Sequence, residues 1–130
     1  MNKIALSIIS IGFIVALIFI FSGSAKTNST NNQSAQNIEI KNGVQYITIN
    51  AKGGYSPRVS TAKAGIPTKL IVKTNGTYDC SASLVIHSLG YQKILPQTGE
   101  TEIDLGTPKV GEPFQGLCGM GMYSFVVNFN

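Results

Sequence analysis

From residue 37 onward the chain is written in short apolar runs, rich in β-branched and aromatic residues and broken by Gly, Pro or Asn about every ten residues. That texture admits sheets and little else. No stretch of ten or more residues carries the periodicity of an amphipathic helix, and residues 81–88 have room for one helical turn at most. Strands are predicted over residues 38–40, 45–50, 58–62, 68–73, 83–86, 93–95, 101–105, 111–117 and 122–128. Pro57, Pro67, Pro96 and Pro108 fall at or near their ends, where a missing N–H does least harm. The last strand is the clearest, because Tyr123, Phe125, Val127 and Phe129 alternate with Ser124, Val126 and Asn128. One face is therefore apolar and belongs on a core. The spacing predicts an all-β sandwich, and about ninety residues close one small core with little margin.

Two segments precede this domain. Residues 4–21 carry no charge and approach the ~20 apolar residues that span a bilayer, so residues 1–25 read as an uncleaved, single-pass transmembrane anchor. The rival is a secretory signal, since Ser22-Gly23-Ser24-Ala25 ends in a small-x-small pattern. Against it, the apolar run exceeds the usual roughly 7–15 residues and no cysteine follows to accept a lipid. Residues 26–36 are polar and small, which makes them a tether that reaches on the order of 15–20 Å.

The net charge is +4, with ten basic residues, of which Lys3 and Lys26 flank the apolar run. Residues 37–130 therefore hold eight basic against six acidic side chains, dispersed and without aromatic interleaving. A nucleic-acid footprint is absent. There is no G-x-S-x-G, P-loop, H-E-x-x-H or C-x-x-C pattern, so no enzyme is expected.

The chemistry concentrates in Gly116-Leu117-Cys118-Gly119-Met120-Gly121-Met122, one thiol and two thioethers at alternate positions. Sulfur without carboxylate suits a soft cation such as Cu(I) and not Ca²⁺ or Mg²⁺. The other cysteine, Cys80, follows the turn-like Asn75-Gly76-Thr77-Tyr78-Asp79. Loops at one end of a sandwich converge, so the two thiols can meet, either as a structural disulfide or as a pair of metal ligands. Met120 and Met122 tip the balance to metal. On an extended strand they share a face with Cys118, an alignment that core packing does not require. His87, the one histidine, reads first as a strand-end residue with a backbone hydrogen bond and second as an outer-shell group of the site.

Taken in order, Tyr55-Ser56-Pro57, Lys63-Ala64-Gly65-Ile66-Pro67, the Asp79-Cys80 turn, the Gly111-Glu112 approach and the Cys118 loop resemble a cupredoxin over residues 37–130. Within that superfamily the chain is most similar to membrane-anchored Cu(I) chaperones of the CupA type, which share the apolar leader, the lone upstream Cys and the Cys-x-Met-x-Met loop. The resemblance implies a Greek-key sandwich in which Cys80 and Cys118 hold a tighter Cu(I), and Met120 and Met122 complete a second, weaker position beside it. It also implies a partner, the metal-binding domain of a copper-exporting P-type ATPase. The chain departs from blue-copper proteins, whose sites use His₂Cys with a weak axial Met. Here the loop has no histidine and Cys80 stands where one is expected.

Two rival functions follow. One is an electron-transfer cupredoxin with His87 and Cys118 as ligands and a coloured Cu(II) form. The other is a metal-free, disulfide-stapled interaction domain. On topology, the flanking lysines lean slightly to an outside domain. Reduced thiols and copper hand-over to an exporter require the cytosolic face, which is the side adopted.

Overall fold

The computed structural model describes residues 37–130. The expected anchor (residues 1–25) and tether (residues 26–36) lie outside the described residues, among which no helix is long and apolar enough to cross a membrane.

Ten strands follow in order: β1 (Ile38–Lys41), β2 (Val44–Ala51), β3 (Tyr55–Ser56), β4 (Val59–Ala62), β5 (Thr68–Asn75), β6 (Ser83–Ile86), β7 (Tyr91–Ile94), β8 (Thr98–Gly106), β9 (Phe114–Cys118) and β10 (Ser124–Phe129). The only helical pieces among the described residues are 3₁₀ turns at Cys80–Ala82 and His87–Leu89, on either side of β6. One sheet has the order β1-β2-β5-β8, with β3 added to β2; the other runs β4-β10-β9-β6-β7. The β2/β5 and β4/β10 pairs are parallel and the rest antiparallel.

The core lies between the sheets. Ile47, Ile49, Leu70, Val72 and Ile103 of the first pack in one cluster with Leu84, Ile86, Phe114, Phe125, Val127 and Phe129 of the second. Alternation along β5 and β10 buries every second residue, as a one-sided sheet demands. At the far end the buried Gln45 amide donates to Lys63 O and accepts from Lys63 N, both at 3.0 Å, which ties β2 to the β4–β5 loop. The opposite end gathers the last residues of β2, β5 and β9 with the start of β6: Ala51 pairs with Thr74, and Leu84 with Cys118.

Every predicted strand but residues 83–86 shifts at one end or both, and the cause is plain at three. The strand expected over 111–117 begins at Phe114, because the N–H of Glu112 turns back to Lys109 O ahead of Pro113. The strand expected over 93–95 is 91–94, set by Ile86 pairing with Tyr91. The strand expected over 122–128 begins at Ser124, since residues 119–122 form a turn.

Candidate metal centre

Cys80 opens a 3₁₀ turn capped by Asp79. One Asp79 carboxylate oxygen accepts from Ser81 N at 2.8 Å and from the Ser81 hydroxyl. The other accepts from Gly53 N at 2.8 Å. The Tyr55 hydroxyl donates to Ser81 O at 3.1 Å, and Thr77 Oγ1 donates to Ala51 O. Residues on both sides of Cys80 are thus fastened to the end of β2 and to β3. Asp-x-Ser is a capping signature visible in sequence; the sequence motifs contain Asp79 and Tyr55 but do not reveal these hydrogen bonds, which give the two residues their role.

Cys118 closes β9. Gly119 N donates to Ser83 O at 2.8 Å, Gly121 N to Cys118 O at 2.8 Å, and Cys118 N to Tyr123 O at 2.9 Å, so the chain reverses over residues 118–123. Gly121 sits at φ +73°, the left-handed region that a glycine adopts without strain. Tyr123 N points at Cys118 Sγ, 3.4 Å away.

These two constructions bring the cysteines together. Their Cα atoms are 5.6 Å apart and their sulfurs are joined in a disulfide. Cys118 is 2% exposed, whereas Met120 and Met122 are 76% and 62% exposed. The extended-strand expectation for the three sulfurs is therefore corrected: the loop is a turn, the Cys118 sulfur is buried, and the Met120 and Met122 side chains are exposed. Exposure at that level also removes core filling as a role for either methionine. His87 is not brought to the sulfurs. It opens the 3₁₀ turn after β6, three residues beyond Leu84, the residue paired with Cys118, hence about 10 Å further along the chain, and it is exposed.

Among the described residues no three His, Cys, Asp or Glu side chains converge as a metal site, so the donor set at this end is sulfur alone. Joined to each other, the cysteine sulfurs have no thiolate for a cation. Reduced, they offer two thiolates at one point, partly screened from water, with two neutral thioethers outside, a set that fits a soft monovalent ion.

Hydrogen bonds to the charged form hold the Asp79 carboxyl below its usual range, first from Ser81 and then from the N–H of Gly53. Burial, and secondarily the Asp79 charge, push the Tyr55 phenol up to about 12. The fold favours the neutral phenol, so its contribution is complete below about pH 10 and is lost as pH rises through about 12. Tyr55→Phe should lower stability by about 1–3 kcal/mol at neutral pH, the cost of a broken buried hydrogen bond. It should also abolish this part of the alkaline loss, as read from denaturant titrations at neutral and alkaline pH. Equal alkaline loss in both proteins would remove Tyr55 from the balance.

A family model for the cupredoxin-like domain matches residues 13–127. The chain belongs to the cupredoxin-like family. Two solved structures share its architecture. The metal-binding domain of the Cu(I) exporting P-type ATPase CopA of Streptococcus pneumoniae D39, determined with Cu(I), is 22% identical at a TM-score of 0.62, over 72% of this chain and 92% of that one. A copper binding protein determined in its apo form by NMR is 26% identical at a TM-score of 0.63, over 72% and 94%. Among curated proteins no relative matches at a significant level.

Proposed function

We propose that this protein is a membrane-tethered Cu(I) metallochaperone that serves copper homeostasis by passing copper to a copper-exporting P-type ATPase through exchange of sulfur ligands. The observation that carries it is the graded exposure of the sulfurs: a buried Cys118 joined to a half-buried Cys80, followed in the chain by two exposed methionines on one glycine-hinged turn. Two thiolates compensate the charge of one Cu(I), while thioethers hold a second, adjacent Cu(I) more loosely. A weak outer position and a tight inner one are what an entering and leaving cargo needs. That a metal-binding domain of a Cu(I) exporting P-type ATPase, determined with Cu(I), shares this fold supports such an exchange partner. The apolar run at residues 4–21 supports a single-pass anchor in the cell membrane, and the need for reduced thiols supports the cytosolic face.

Titrating the reduced full chain anaerobically with Cu(I) against a coloured chelator tests this. Met120→Ile and Met122→Ile should each lose only the weaker second equivalent, by about tenfold or more in affinity, and keep the first. If neither variant alters either equivalent, the methionines are not ligands. If the unsubstituted chain withdraws no Cu(I), the Cys80–Cys118 bond is structural and the stapled interaction domain, which that bond also suits, is the better account.

A further inference from the structure

A cleft of about 400 Å³ opens beside the sulfurs, lined in part by Lys52, Gly54, Arg58, Met122 and Tyr123. That volume falls within the roughly 300–1,000 Å³ of small-molecule sites. Its position follows from bonds already described. Gly53 and Tyr55, on one wall, hold Asp79 and Ser81 on either side of Cys80. Residues 122–124, on the other, continue from the turn that holds Cys118. The cleft therefore lies between the segment that anchors the Cys80 turn and the segment that leaves the Cys118 turn, and Met122 belongs to both cleft and sulfur set.

Its charge is one-sided. Lys52 and Arg58 line it and no acidic residue does. Both are exposed, and among the described residues the ion pairs are Lys41–Glu39, Lys69–Glu102 and Lys73–Glu100, so neither Lys52 nor Arg58 is paired. The Asp79 carboxylate, which reaches Gly53 on the cleft wall, is occupied by Gly53 N and Ser81. Two free cations beside an exposed thioether recognise a molecule that carries both carboxylate and soft-metal chemistry.

We propose that this cleft is the docking site of an anionic, low-molecular-mass thiol that carries Cu(I), its carboxylates on Lys52 and Arg58 and its metal-bearing sulfur at Met122. This names the copper donor for the function above and rests on it. Transfer is an exchange at copper: the bond from Cu(I) to the carrier sulfur breaks as bonds form to Met122 and then to Cys80 and Cys118. Copper stays Cu(I); of the two protons released as the Cys80 and Cys118 thiols become bound thiolates, one is taken up by the leaving carrier thiolate and the other goes to solvent. Where the cysteines start as the disulfide, two carrier thiols reduce it, giving two cysteine thiols and one carrier disulfide.

The test uses the full chain in non-ionic detergent, with Cu(I) supplied either by glutathione, an anionic thiol, or by 2-mercaptoethanol, a neutral one. Lys52→Gln with Arg58→Gln should slow loading from glutathione about tenfold and leave loading from 2-mercaptoethanol within about twofold, since charges at the rim of a site act on association. Equal slowing from both donors, or from neither, overturns the proposal. A metal-free arm follows amide shifts on adding S-methylglutathione, which binds no copper through a free thiol. Saturable shifts at Gly53, Gly54 and Ser124 that weaken with salt and vanish in the double variant support the cleft. No shifts overturn it. If the chain loads copper from neither donor while these shifts persist, the cleft stands and copper binding fails.

Discussion

Replacing Cys80 and Cys118 together with serine is expected to abolish tight Cu(I) binding by the reduced chain. Either single replacement should weaken it by at least about a hundredfold, close to 2.8 kcal/mol at 1.4 kcal/mol per tenfold. Removing an outer-shell partner of a metal ligand already costs about 10–100-fold, and here a ligand itself is lost, leaving one thiolate against a cation in a half-buried position. The same cysteines make a second measurement. In the disulfide that joins them neither sulfur is a thiolate, so oxidised chain should withdraw no Cu(I) from the chelator through them, and a thiol reductant should restore uptake. The double variant also loses the staple, worth about 2–4 kcal/mol. Comparing it with reduced unsubstituted chain, which lacks the staple as well, isolates the ligand effect. Undiminished Cu(I) affinity in the double variant would end the metallochaperone account.

The sulfur set was legible because its residue types are rare in this chain and close in sequence. Cys118, Met120 and Met122 are the soft donors of the proposed site whatever the backbone does. How they point was not legible. Parity is a rule for extended chain, and residues 118–123 turn instead under hydrogen bonds to Ser83 and Tyr123. The meeting of Cys80 with Cys118 followed from the convergence of loops in a sandwich, since Cys80 follows β5 and Cys118 ends β9. The strands were found where alternation is strict, as in β10, or where a compact β-branched run is bounded by polar residues, as in β6. Tyr55–Ser56 is two residues long and has no period to read; it is a strand only because Tyr55 pairs with Ala51. His87 drew notice as the only histidine, but register, not rarity, decides what a side chain can reach.

The interior makes the other large prediction, at a residue with no side chain. Gly116 of β9 pairs with Phe125 of β10, and a Cβ at Gly116 would run into the Phe125 ring. That ring is fully buried and meets Tyr55 edge-on, centroids 5.1 Å apart at 68°. It has no free direction in which to yield. Gly116→Ala should therefore destabilise the domain by about 2–3 kcal/mol, the upper part of the usual range for overpacking, and lower Tm by on the order of 10–20 °C for a domain of this size. Phe125→Ala alone should cost about 3–5 kcal/mol through the cavity it leaves. The two effects should not add: with the ring gone, an alanine at 116 meets space, and the double variant should be no less stable than Phe125→Ala, an interaction of about 2 kcal/mol or more in the cycle. Additive losses, or a Gly116→Ala protein that melts like the unsubstituted one, would show that the ring and strand can shift. At temperatures where Gly116→Ala remains folded it should still bind Cu(I), since every sulfur is in place. Copper affinity then separates the hairpin's part in holding Cys118 from the chemistry of the sulfur ligands.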